Sequence, residues 1–120
     1  MGLSTTAKNQ ALDAITIDRV SFHSGDPGSA GTSNTITYNG SSGSPLVAAT
    51  LNAASSGERV LNADVSITGA SANQSITYIG WWLNSGTVFK AGYAITSGDT
   101  SANASGAYTL KGTTTKLSIG

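Results

Sequence analysis

Only one stretch of this 120-residue chain carries a helical period. In residues 3–15, Leu3, Ala7, Ala11, Leu12 and Ile15 recur at helical spacing with Lys8, Asn9, Gln10 and Asp13 between them. Ser4, Thr5 or Thr6 can cap the start of that helix. Everything downstream is period two or turn-like. Parallel strands need long crossovers, normally helices, and one helix cannot supply a set of them. The sequence therefore predicts an all-β chain, an antiparallel β-sandwich or small barrel of about six or seven short strands with one short N-terminal helix. The length fits a single β domain, residues 1–120, with 1–15 as the helical segment and 29–44 as a flexible loop or arm.

The strand candidates lie where apolar residues alternate between turn clusters. Residues 17–23 alternate and stop at Ser24-Gly25-Asp26-Pro27-Gly28. Thr35-Ile36-Thr37-Tyr38 is a short extended piece within a stretch rich in Gly, Ser, Thr and Asn, and residues 45–51 and 58–67 follow. The most β-prone run, residues 75–83, leads through Asn84-Ser85-Gly86 into residues 87–95, a hairpin expected at the heart of the core. Beyond a small-residue linker, residues 108–119 alternate through Tyr108, Leu110, Leu117 and Ile119 across a break at Gly112.

Composition removes several function classes. With no Cys and one His, the chain has no disulfide framework, no thiolate nucleophile and no multi-imidazole metal site, and no cofactor is expected. Six basic residues balance six acidic ones, and only 10% of residues are charged, which leaves no basic field for a phosphate backbone. Nucleic acid is not an expected partner. No window approaches the roughly 18 apolar residues of a membrane span, and the opening residues are polar, so neither membrane nor secretion is expected. Met1-Gly2-Leu3-Ser4-Thr5-Thr6 fits a myristoylation pattern, and Asn39-Gly40-Ser41, Asn73-Gln74-Ser75 and Asn103-Ala104-Ser105 fit a glycosylation sequon. Such patterns arise by chance in a chain with 34 Ser and Thr. Gly40-Ser41-Ser42-Gly43 lacks the Lys and the strand-to-helix setting of a phosphate loop.

A few residues could carry chemistry. His23 and Asp26, with serines nearby, would make a Ser-His-Asp set if a hydroxyl came within reach of the imidazole. The simpler reading is a structural turn. Asp26 would accept backbone N–H bonds, Pro27 would fix φ, Gly28 would supply a left-handed position, and His23 would end a strand and bond the loop. Asp13, Asp18, Asp26, Glu58, Asp64 and Asp99 are scattered singly, so neither paired catalytic carboxylates nor a calcium loop is present, and no catalytic or metal residue is assigned. Trp81 and Trp82 are adjacent, so a strand turns one ring to each face, one into the core and one outward. Trp82 and Tyr93 are thus the candidate interface or glycan contacts.

Val20-Ser21-Phe22-His23-Ser24-Gly25-Asp26-Pro27-Gly28-Ser29-Ala30-Gly31 follows the helix. Downstream come residues 65–69, the run 75–95 with Ile79-Gly80-Trp81-Trp82 and Gly86-Thr87-Val88-Phe89, and finally Gly106-Ala107-Tyr108-Thr109-Leu110 and Leu117-Ser118-Ile119. In this order the chain resembles a family of small tailed-bacteriophage virion proteins, described as head-decoration or tail-fibre-like proteins. The region after Asn34 departs from that family's pattern. The resemblance implies a non-enzymatic protein located in the virion and assembled in the host cytoplasm. Its partners would be the major capsid protein or other virion proteins, and it would self-associate, with a trimer favoured. A capsid decoration role, with the helix or residues 29–44 as an arm, is the first expectation; a tail or tail-fibre subunit that binds a host glycan is the alternative.

Overall fold

The computed structural model describes residues 3–96, 98–112 and 114–118. Met1 and Gly2 of the myristoylation pattern and the strand end expected at Ile119 lie outside the described residues. Helix α1 (Thr5–Ala14) begins where the Ser4 hydroxyl accepts the Ala7 backbone N–H at 3.2 Å. Ten residues make a marginal helix in isolation, so its stability comes from the body it packs on. Leu12 is fully buried, Asn9 accepts the Gly57 N–H, and Asp13 accepts the Ala54 N–H. Arg59 anchors the C-terminal end. Its Nη1 donates to the carbonyls of Ile15 at 2.8 Å and Leu12 at 3.4 Å, its Nε to Asn52 at 2.8 Å and its Nη2 to Leu51 at 3.2 Å. The planar guanidinium thus ties the helix end, at the carbonyls of Leu12 and Ile15, to those of Leu51 and Asn52 in the body. The helix is part of the body, and not the free arm the sequence allowed.

Ten short strands follow among the described residues: β1 (Arg19–His23), β2 (Thr37–Tyr38), β3 (Ser41–Ser42), β4 (Val47–Ala48), β5 (Glu58–Val60), β6 (Val65–Ile67), β7 (Tyr78–Leu83), β8 (Val88–Ala94), β9 (Tyr108–Leu110) and β10 (Lys116–Ser118). All pairings of these strands are antiparallel. The principal sheet has the order β4-β1-β7-β8, and three two-stranded ladders pair β5 with β10, β6 with β9 and β2 with β3. In the principal sheet Val20 lies opposite Trp81 and Phe22 opposite Ile79, placing four buried side chains on one face. Val65, Ile67, Tyr108, Leu110 and Leu117 of the smaller ladders belong to the same core. The Tyr108 ring stands edge-on to Phe22 at 5.9 Å and 76°, joining the two layers. The result is a mainly β, sandwich-like fold with one short helix.

The strand count exceeds the expected six or seven because two expected strands are each broken in two and Ser41–Ser42 adds a short strand that was not expected. The stretch 58–67 pairs first with β10 and then with β9, and across the gap the second strand carries one more residue than the first. The irregularity centres on Gly112, whose N–H donates to Asp64 at 2.8 Å and where a Cβ would sit 2.7 Å from the Ala63 carbonyl carbon. Residues 29–44 also differ from the expected arm. Ile36 is fully buried, the Thr37 N–H donates to Gln74, and the Ser44 hydroxyl accepts the Phe22 N–H at 2.7 Å. Asn39 and Gly40, with φ of 49° and 81°, make the two-residue turn between β2 and β3, and the Asn39 N–H donates to the Gly69 carbonyl at 2.7 Å.

Arg59→Lys should destabilise nearly as much as Arg59→Ala, because a point ammonium cannot reach four diverging carbonyls. Urea unfolding should show a loss of about 1–3 kcal/mol for both variants, and full stability in Arg59→Lys would refute the fork as the anchor.

Candidate functional site

Ser21 and His23 are two residues apart on β1 and therefore share a face, the one opposite Val20 and Phe22. The Ser21 Oγ lies 2.7 Å from His23 Nε2, and Trp82 Nε1 donates to the same Oγ at 2.8 Å. The other ring nitrogen, Nδ1, lies 2.9 Å from the Ser33 carbonyl oxygen. A carbonyl can only accept, so Nδ1 carries the proton, Nε2 is the acceptor, and the Ser21 hydroxyl donates to it. A directed chain results: Trp82 N–H to Ser21 oxygen, Ser21 O–H to His23, His23 N–H to Ser33. Every polar atom in it is satisfied.

The hydroxyl-to-imidazole contact that a hydrolase needs is thus present, but its setting differs from the one the sequence suggested. Asp26 does not orient the imidazole. Its Oδ1 accepts the Gly28 N–H at 2.9 Å, and its backbone carbonyl accepts Asn34 Nδ2, so it builds the turn. Gly28 has φ of 75°, the left-handed position that turn requires. The Ser33 carbonyl stands where a triad would place a carboxylate. Access is closed as well: His23 is 0% exposed and Ser21 3%. No electrophile could come within about 3 Å of the Ser21 oxygen without displacing Trp82 or the loop.

The cover is the loop 24–34. Its ends meet where the Ser24 N–H donates to the Asn34 carbonyl at 2.7 Å, and the Ser33 N–H donates to the Pro27 carbonyl across its middle. Two glycines, Gly31 and Gly92, let it lie close on the sheet, and a third, Gly80, leaves room for the Ser21 hydroxyl beneath it. A Cβ on Gly92 would fall 2.4 Å from Pro27, one on Gly31 would fall 2.3 Å from the Phe89 ring, and one on Gly80 would fall 2.6 Å from the Ser21 hydroxyl. Under this cover Trp82 packs on Phe89 with centroids 5.0 Å apart.

Trp82 must therefore be corrected as a surface contact. It is 9% exposed, against 0% for Trp81, so both rings are buried and Trp82 is open to neither a glycan nor a partner. Alternation does place the two rings on opposite faces; the loop then buries the second face. Tyr93 lies elsewhere, half-buried, with its hydroxyl donating to the Ser118 carbonyl at 2.8 Å beside a cleft of about 170 Å³ lined also by Ile95, Thr114 and Lys116. Burial raises its pKa, and the Ser118 bond offsets part of that rise. Sequence reasoning missed Ser21, Ser33, Gly80 and Gly92. Two signals pointed to them: the two-residue spacing of Ser21 and His23, and glycines inside a strongly β-prone hairpin. Among the described residues no group of three or more acidic, His or Cys side chains could hold a metal ion.

No family model, no curated protein and no solved structure matches this chain.

Burial lowers the His23 pKa below 6.5, and the Ser33 carbonyl opposes that shift. The unfolded chain thus takes up a proton that the folded chain resists, so this contribution to stability is complete above 6.5 and shrinks as the pH falls through and below that value. Urea midpoints should drop between about pH 7.5 and about pH 5.5 in the native chain, with a smaller drop in His23→Gln, which has no imidazole left. Equal drops would remove His23 from the account. Gly80→Ala should cost about 1–3 kcal/mol by overpacking, read from the same unfolding curves.

Proposed function

We propose that this protein is a non-enzymatic structural component of a tailed-bacteriophage virion, most simply a capsid decoration protein that binds the outer head surface and stabilises it. The observation that carries the reading is the sealed loop over β1 and β7. The stretch that bears the sequence resemblance, residues 20–31, is spent on a closed hydrogen-bonded clamp, with its one Ser–His pair out of reach of substrate. A part built this way acts through its outer surface. The body measures 44 × 25 × 24 Å, long enough to lie across a boundary between neighbouring capsid subunits. Its net charge of zero means that attachment relies on shape and hydrogen bonding more than on long-range attraction, and it should vary little with salt. Many copies that prefer the mature lattice to its precursors would stabilise that lattice by mass action.

The alternative, a tail or tail-fibre subunit with a glycan site, keeps only Tyr93 and its cleft as support, since Trp82 lies under the loop. Gold-conjugated antibody viewed on virions by negative-stain electron microscopy separates the two. Dense label over the head is the expected result, label confined to the tail supports the alternative, and bare particles, intact or opened, defeat both.

A further inference from the structure

We propose that β8 is a self-pairing edge, and that two copies of this chain join there antiparallel about a two-fold axis at Gly92. The inference deepens the assembly reading by naming the partner, and rests on that reading for its use in a virion. β8 is the outer strand of the principal sheet and, at seven residues, far longer than the other edge, the two-residue β4. The Ile95 N–H donates to the Thr77 carbonyl at 2.8 Å, and Tyr93 and Ala91 stand opposite Ile79 and Trp81 further along the ladder. In an antiparallel pair the bonding direction alternates, so residues 95, 93 and 91 bond towards β7 while Ala94 and Gly92 turn their N–H and C=O groups outward. Among the described residues no strand pairs with that outer side.

Natural edges are usually blunted by Pro, charge or shortness. β8 has no Pro; its one charge, Lys90, is the extra residue of a bulge between the partners of Trp81 and Trp82, so the edge is regular from Ala91 to Ala94. A second copy fits this edge better than an unlike strand because the edge is complementary to itself. With the axis at Gly92, the two glycines exchange backbone bonds with no side chain between them, and Lys90 falls opposite Ala94 of the second copy. No like charges meet, and neither chain carries a net charge to repel the other. With the axis at Gly92, residues 90–94 of the two β8 strands face each other over about 16 Å at about 3.3 Å per residue, and the pairing merges two four-stranded sheets into one of eight. Among the described residues, two of the three exposed large apolar side chains lie at the entrance to this strand: Val88, 38% exposed, and Leu46, 41% exposed, which packs beside Gly86. This symmetry gives a dimer, in place of the trimer expected from the resemblance.

Sedimentation equilibrium of the full chain from about 1 μM to about 1 mM tests the edge, with Ala94→Pro as the variant. That substitution removes an outward N–H and no bond to β7, so the fold should survive while self-association weakens at least about tenfold. Hydrogen exchange by NMR on the native chain supplies a second reading that needs no variant. The Gly92 and Ala94 amides should exchange freely when dilute and become protected as the concentration rises. A native chain that stays monomeric at the highest concentration overturns the proposal. So does a trimer, an Ala94→Pro chain that associates as well as the native one, or a monomer that captures only extended peptides of other sequence. None of these outcomes bears on where the protein sits in a virion, which the gold label reads separately.

Discussion

His23 is bonded at both ring nitrogens, to a side chain of its own strand at one and to the backbone of a loop ten residues further on at the other. That imidazole fixes a series of neighbours. Because Ser33 can only accept, the ring has one tautomer; because the ring has one tautomer, the Ser21 hydroxyl has one direction; and because that hydroxyl is committed to His23, its oxygen is free to take the Trp82 N–H. The loop is thereby held at a set distance above the sheet, close enough that only glycine fits at 31 and 92, while the Ser21 hydroxyl itself crowds position 80. An ammonium at position 23, with no acceptor, could not take the Ser21 hydroxyl's hydrogen bond. The two tryptophans show what the clamp adds. Trp81 is buried by the apolar layer behind β7 and leaves its Nε1 without a partner, whereas Trp82 is buried by the loop with its Nε1 bonded.

Features decided by local pattern were legible in the sequence. The Ser4 cap, the single helix, β1 ending at His23 and the β7–β8 hairpin follow from periodicity and turn chemistry, which act over a few residues. Features decided by distant partners were not. Alternation through Val60, Asn62, Asp64 and Ser66 reads as one strand, and nothing within 58–67 reveals that the opposing strand carries an extra residue near Gly112. Likewise, polar and small residues in 29–44 read as an arm, because the anchor of that segment is Ile36 in a core assembled from the rest of the chain.

Trp82 falls between these two cases. Its direction was legible, since adjacent strand residues face opposite ways. Its burial was not, because that depends on a loop returning over the sheet, and the signs of that return are glycines whose role appears only when Pro27, Phe89 and Ser21 are placed against them. The same loop decides the candidate chemistry. Ser and His separated by two residues on a strand share a face, so their contact alone is weak evidence for catalysis; solvent access and an orienting carboxylate are the discriminating features, and here the first is closed and Asp26 is occupied in a turn.

With one face of the principal sheet in the core and the other under the loop, the sheet has little left to offer a partner except its edge. β7 is paired on both sides, β1 likewise, and β4 is too short to template a strand. Among the described residues no strand pairs with the outer side of β8, and a second strand there would take up its outward N–H and C=O groups without disturbing the clamp or the core. The low charge of the chain points the same way, since a surface with few ionic groups to desolvate meets a like surface at little electrostatic cost. The loop that closes the second face of the principal sheet also covers the Ser–His pair, so one set of bonds accounts for the burial of both Trp82 and that pair.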